Sequence, residues 1–117
     1  SDAIKQQFGN NKDFSVTDNE DGSFLAKMND TKRMYYIDKT GEILTKGGTI
    51  NLDVDKLKLF TGYRQLTLSK QNLTTLEPLE GLTNLVSLDI SNNPELTLED
   101  EKSQNILKKL IQKRLKP

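Results

Sequence analysis

The sequence predicts an α/β fold in the form of a short solenoid of stacked coils, with a β-hairpin cap at its N-terminal end and a helical cap at its C-terminal end. Three patterns predict it: an apolar repeat of 22 residues, a period-two pattern before it and a helical pattern after it. A fixed period of about 20 to 50 residues is typical of stacked supersecondary units. Because 117 residues suit one core, we expect a single domain over residues 1–117.

The repeat is carried by six apolar positions in each of two segments. Val54, Leu57, Phe60, Tyr63, Leu66 and Leu68 match Leu76, Leu79, Leu82, Leu85, Leu88 and Ile90 one for one. Each unit of such an array buries its apolar face against its neighbours. We therefore assign two coils to residues 49–98, and an array of this kind functions through its surface.

The second copy also carries a recognisable motif. Leu85, Leu88, Ile90 and Asn93 have the spacing of the leucine-rich repeat strand signature, and residues 54–98 resemble bacterial leucine-rich repeat proteins of the 22-residue, internalin-like class. The resemblance implies parallel strands with 3₁₀-like turns on the convex side. It also implies inward-pointing structural positions, which are Leu66, Leu68, Leu88 and Ile90. The spacing of three before each strand suits a 3₁₀ turn, because side chains at i and i+3 eclipse.

Asn93 is predicted to have a structural role. Its side-chain amide offers both donors and an acceptor, so it can satisfy buried backbone groups where the coil bends. The first copy departs from the motif, because Gln71 occupies the corresponding position.

The β-rich section, residues 1–48, is assigned to the N-terminal cap. A short helix is expected before residue 14, and a period-two pattern with turn residues predicts strands from there to residue 46. Residues 35–44 predict a β-hairpin, since two apolar runs flank a four-residue loop ending in Gly41. Gly47-Gly48 marks the internal boundary. Two repeats alone leave both ends of a stack open, so the hairpin is expected to cover the first coil.

Residues 99–117 are assigned to a C-terminal capping helix. Its apolar residues follow a helical stripe, with acidic residues at the start and basic residues at the end, which complements the helix dipole. The stripe comprises Ile106, Leu107, Leu110, Ile111 and Leu115. The 22-residue register fades at Glu101. The basic residues invite a nucleic-acid or anionic-membrane hypothesis, but basic residues at a helix C-terminus are expected from the helix dipole, and the neutral net charge argues against phosphate binding.

The candidate binding face follows from strand alternation. With the structural leucines pointing inward, six side chains face the concave sheet: Gln65, Thr67, Ser69, Ser87, Asp89 and Ser91. The 22-residue offset places Gln65 beside Ser87 and Thr67 beside Asp89. The face lacks the Trp, Tyr and Arg typical of interface hot spots, so a merely solvated face stays open as the alternative.

Tyr35 and Tyr36 are candidate aromatic contacts in the β-rich section. Neighbours on a strand point to opposite faces, so one ring is expected to face away from whatever the other packs against. An exposed tyrosine there could anchor a partner.

Composition restricts the chemistry. The chain has 17 basic and 17 acidic residues, no cysteine and no histidine. Balanced charge argues against a nucleic-acid partner, and the missing residue types remove the commonest general base and metal ligands. We therefore expect no cofactor, no metal and no catalytic residue. No apolar run has the roughly 18 residues of a membrane span.

The predicted function is a non-enzymatic protein–protein interaction module built on a short leucine-rich repeat stack, with another protein as partner. The alternative is a structural or accessory domain of a larger surface or secreted protein, packed on its own neighbours. The resemblance favours an extracellular or cell-surface location, a lipoprotein included, because a removed export or lipid-anchor signal before Ser1 would leave no trace. A monomer is the default.

Overall fold

The computed structural model describes residues 2–44 and 52–115, and the side chains as far as Leu110. The chain divides into two compact units, Ser1–Asp53 and Val54–Pro117. The predicted boundary at Gly47-Gly48 lies outside the described residues, as do Ser1, residues 116–117 and the side chains of Ile111 and Leu115.

The first unit is a helix on a three-stranded antiparallel sheet. Helix α1 spans Asp2–Gly9, and strands β1, β2 and β3 span Phe14–Asp18, Phe24–Met28 and Met34–Ile37, in the order β1-β2-β3. The register sets Phe14 opposite Met28 and Phe24 opposite Ile37. Phe24, Ala26 and Ile37 form a buried cluster, against which α1 packs Ile4 and Phe8. This unit therefore has a core of its own.

The predicted hairpin over residues 35–44 is only partly formed. After β3 the chain turns at Gly41, whose φ of 97° suits glycine, and pairing resumes as an isolated bridge between Ile37 and Ile43. Asp38 holds this turn: its buried Oδ1 accepts hydrogen bonds from the Thr40 N–H at 2.9 Å, the Thr40 hydroxyl at 2.8 Å and the Glu42 N–H at 2.8 Å. The turn is thus held by this carboxylate together with backbone hydrogen bonds from the Asp38 N–H to the Glu42 carbonyl at 2.8 Å and from the Leu44 N–H to the Tyr36 carbonyl at 2.9 Å.

The second unit contains two chain segments of similar course. A 3₁₀ helix over Val54–Leu59 precedes strand β4 (Gln65–Thr67), and a second 3₁₀ helix over Glu77–Leu79 precedes strand β5 (Ser87–Asp89). Helix α2 follows at Glu101–Leu115. The strands are parallel, with Gln65 opposite Ser87, and this 22-residue register is confirmed. Lys70 and Asn92, also 22 residues apart, share a left-handed φ of 57°.

The predicted fold class is nevertheless wrong. In the described part of the chain, parallel pairing is limited to two strands of three residues each, and the other sheet is antiparallel. A solenoid needs about three stacked units, and the chain before Val54 instead follows a period-two pattern that closes its own core. The architecture is a small α/β arrangement with an antiparallel three-stranded sheet and a small parallel pair, not a solenoid with caps.

Helix α2 begins at a side-chain cap. The Asp100 carboxylate accepts hydrogen bonds from the Ser103 N–H at 3.0 Å and the Ser103 hydroxyl at 2.7 Å, which satisfies an otherwise unpaired amide of the first turn. Buried Ile106 and Leu110 form its inner face. Exposed ion pairs link Lys102 to Glu77 at 2.6 Å and Lys109 to Glu80 at 3.7 Å. These contacts attach α2 to the second 3₁₀ helix and its flank.

The cap at Asp100 predicts a measurable pH dependence. Hydrogen bonds from the Ser103 hydroxyl and N–H lower the Asp100 pKa below its usual 3.8, so the ionised cap stabilises the fold above that value. This contribution is lost as the pH falls through the lowered pKa of the folded state. We expect Asp100→Asn to be less stable than the native chain at neutral pH and to converge with it in acid, as measured by urea unfolding. Glu99→Gln, which removes a neighbouring charge, should not reproduce this convergence.

Candidate interaction surface

The six residues predicted to form the concave face lie on and next to the parallel strands β4 and β5, where they form a small polar patch. Gln65, Ser87, Asp89 and Ser91 are exposed, whereas Thr67 and Ser69 are half-buried. The parallel register places Gln65 beside Ser87 and Thr67 beside Asp89. The structure thus brings the predicted residues together, but the patch offers no aromatic or apolar anchor.

Asp89 provides the only charge among these six residues. The Ser91 hydroxyl donates to its Oδ1 at 2.6 Å and the Ser91 N–H at 2.9 Å. These bonds lower the Asp89 pKa, so the carboxylate is ionised at neutral pH. Among the six residues, Asp89 therefore places one negative charge on β5, the outer strand of the parallel pair.

Asn93 joins the two segments of the second unit. Its Oδ1 accepts hydrogen bonds from the backbone N–H groups of Gln71 and Leu73, both at 3.0 Å. Its Nδ2 lies 3.0 Å from the Leu68 carbonyl and 2.8 Å from the Ile90 carbonyl. The residue is 8% exposed. One amide thus satisfies backbone groups of both segments, which is a structural rather than a binding arrangement.

The four inward-pointing positions differ in burial. Leu66 and Leu68 are 3% and 0% exposed, because β5 covers them. Leu88 and Ile90 are only half-buried. They occupy equivalent repeat positions, but β5 is the last strand of its sheet, so no further strand covers them in the described part of the chain. Of the four predicted inward-pointing positions, Leu66 and Leu68 are thus buried, whereas Leu88 and Ile90 are partly open to solvent.

An apolar groove lies beside β5. Its volume is about 210 Å³, and helix α2 contributes part of its wall. Val86 at its rim is 41% exposed, which makes it one of two large exposed apolar residues in the described chain. The lining consists of Leu85, Val86, Ser87, Leu88, Ile90, Leu107 and Leu110. None of these side chains titrates, so the groove is suited to apolar contact and not to acid–base chemistry.

The outer edge of β5 carries backbone groups that do not pair with β4. Ser87 and Asp89 direct their backbone toward β4: the Ser87 N–H donates to the Arg64 carbonyl at 3.1 Å, and the Asp89 carbonyl accepts from the Leu68 N–H at 2.7 Å. Backbone groups alternate in direction along a strand, so those of Leu88 point to the opposite edge. The groove is therefore bordered by strand backbone as well as by aliphatic side chains.

Sequence reasoning did not identify this groove. The apolar pattern marks Leu88 and Ile90 as core, because it is the same pattern that buries Leu66 and Leu68. The feature of the sequence that indicates the groove is the loss of the 22-residue register at Glu101, because this loss means that no third repeat strand follows β5. A repeat that stops without a strand leaves its last apolar face open.

The tyrosines of the first unit do not form an exposed pair. Tyr36 is 3% exposed, and Tyr35 is half-buried. The Tyr35 ring lies 6.0 Å from the Phe14 ring and 6.4 Å from the Phe8 ring, centroid to centroid. The expectation of one exposed ring is thus not met, because α1 covers the face to which Tyr35 belongs.

Comparison with known proteins adds no assignment: no family model, curated protein or solved structure matches the chain. In the ranges that the structure describes, His, Cys, Asp and Glu form no group of three that could hold a metal ion. The described helices include none with the length and apolar character needed to cross a membrane.

Proposed function

We propose that the second unit is a non-enzymatic protein-binding module and that its binding surface is the apolar groove beside β5. One observation carries the proposal: Leu88 and Ile90 line an open groove at a strand edge and are only half-buried, although their repeat equivalents Leu66 and Leu68 are 3% and 0% exposed. The polar concave face is the second surface of the unit and lacks an anchor of this kind.

The composition of the groove supports this function. Aliphatic side chains at the centre of a contact and polar residues around it are typical of a protein interface. Ser87 and Asp89 supply the polar border on the concave side, and Lys108 lies exposed on α2 next to the lining residue Leu107. A partner that buries Val86 and Leu88 gains free energy roughly in proportion to the apolar area covered.

A selection experiment tests the proposal. Random peptides displayed on phage are selected on the full chain and then compared on Val86→Arg, which gives the groove rim the residue found at the equivalent position 64. We expect selected peptides to bind Val86→Arg about tenfold more weakly or worse, because the arginine places a charge where apolar surface was covered. Dissociation constants from biolayer interferometry provide the measurement.

The chain offers a matched control for this comparison. Leu59 is 42% exposed, close to the 41% of Val86, and does not line the groove. Leu59→Arg removes the same kind of exposed apolar residue and should leave binding unchanged. Failure to select any binder would contradict the proposal. Binders that tolerate Val86→Arg but fail on Thr67→Arg with Asp89→Arg would move the function to the concave face.

A further inference from the structure

We infer that the occupant of the groove is an extended segment of another protein, which adds a third parallel strand to the β4–β5 sheet at the outer edge of β5. This inference rests on the proposed function and specifies the chemistry of the partner. The segment carries aliphatic residues in the pattern of Leu85, Leu88 and Ile90, with a basic residue between the last two.

The pairing of β4 with β5 within the second unit is a model for the proposed pairing of β5 with a partner strand. Tyr63, Leu66 and Leu68 present on β4 the surface that Leu85, Leu88 and Ile90 present on β5, 22 residues later. The first surface is covered by the strand segment 85–90, and its three residues are 3% exposed or less. The second surface continues the first at the same register; Leu85 is already 3% exposed, and Leu88 and Ile90 are its half-buried, open part. A strand with the same side-chain pattern is therefore the occupant that its shape and spacing fit.

The backbone of β5 supports strand addition. Leu88 directs its N–H and carbonyl to the open edge, while Ser87 and Asp89 pair with β4. An added strand satisfies the Leu88 groups with its own backbone, which is the main source of affinity when a peptide extends a sheet. Its alternate side chains enter the groove, and the remaining ones lie on the concave side.

The charge of the partner follows from Asp89. This exposed carboxylate lies on the concave side of β5, and an added parallel strand places one side chain directly beside it. Opposite charges in adjacent strand positions are favourable, and like charges are unfavourable. The residue next to Asp89 in the partner is therefore lysine or arginine. This distinguishes the partner from a second copy of β5, which would place aspartate against aspartate at that register.

A synthetic peptide provides the probe. It copies residues 82–93 of this chain with Asp89→Lys, and its binding to the full chain is measured by fluorescence anisotropy. In the parallel register the peptide nitrogen at position 89 donates to the Leu88 carbonyl, and the nitrogen at position 88 points away. We expect N-methylation at position 89 to weaken binding about tenfold, and N-methylation at position 88 to have little effect.

The two methylated peptides are isomers with the same number of apolar groups. The difference between their dissociation constants therefore reports the backbone contact alone. The peptide with the native aspartate should bind more weakly than the lysine version, and this preference should vanish in Asp89→Asn. Equal binding of the isomers, with Val86→Arg still disruptive, would overturn strand addition but leave the proposed binding surface intact. Binding that ignores Val86→Arg, or the absence of binding, would overturn the inference. If the chain forms a dimer and Val86→Arg dissociates that dimer, the occupant of the groove is a second copy of the chain, and the inference is overturned.

Discussion

Replacing Asn93 by alanine is expected to destabilise the second unit by roughly 3 to 5 kcal/mol, a large part of the stability of a small domain. The substitution leaves the Gln71 and Leu73 N–H groups without their acceptor and the Leu68 carbonyl without its donor. A buried backbone group without a partner costs about 1 to 3 kcal/mol.

Urea unfolding followed by far-ultraviolet circular dichroism measures this effect. Hydrogen exchange at the amides of Gln71 and Leu73 locates it, because both amides lose their acceptor in the variant. Faster exchange at these two sites should accompany the lower unfolding free energy.

Asn84→Ala is the matched control for Asn93. Its Nδ2 also reaches back to the first segment, donating to the Thr61 carbonyl at 2.7 Å, but the residue is exposed. Water can replace this donor, so the cost should stay below about 1 kcal/mol. Equal destabilisation by the two substitutions would show that Asn93 does not have the structural role inferred from its five contacts.

The local features of the fold could be read from the sequence where short-range chemistry determines them. The 22-residue spacing predicts the pairing of Leu66 with Leu88, because equivalent positions of stacked segments lie side by side. Turn residues separate the strands of the first unit, and glycine occupies positions 22 and 41, where φ is positive. The donors and acceptor of Asn93 point to its bridging role.

The overall architecture could not be read in the same way. An apolar pattern states which side of a segment avoids water, but not what covers it. Before Val54, period-two residues are compatible with a cap on a stack and with a separate core, and the cluster around Phe24 and Ile37 shows that they form their own core. Likewise Tyr35 and Tyr36 alternate on β3, which predicts opposite directions for the two rings. The burial of Tyr36 and the half-burial of Tyr35 do not follow from the sequence.

The same limit explains why the candidate site was only partly predicted. Alternation of side chains along a strand is enough to predict which residues share the outer face of β4 and β5, so the grouping of these residues could be predicted from the sequence. The groove depends on the absence of a neighbour beside β5. Leu88 and Leu66 look identical in the repeat, although one is half-buried and the other 3% exposed.

This contrast leads to the second large effect: Leu66→Asp is expected to unfold the second unit, whereas Leu88→Asp is expected to leave it folded. The two leucines are paired across the parallel strands. At position 66, where the leucine is 3% exposed, a carboxylate would be buried in the apolar core without a partner, which costs several kcal/mol even if it is protonated. At position 88 it can turn into the open groove and remain hydrated, so the cost is limited to the lost apolar contact, about 1 to 2 kcal/mol.

Thermal unfolding by circular dichroism compares the two variants at equal net charge. Leu66→Asp should show no cooperative transition for the second unit, while Leu88→Asp should retain one and lose peptide binding at the groove. Leu66→Asn and Leu88→Asn repeat the comparison without charge and should keep the same order. Unfolding of both aspartate variants would mean that Leu88 is enclosed in solution, and the groove beside β5 would then be no binding surface.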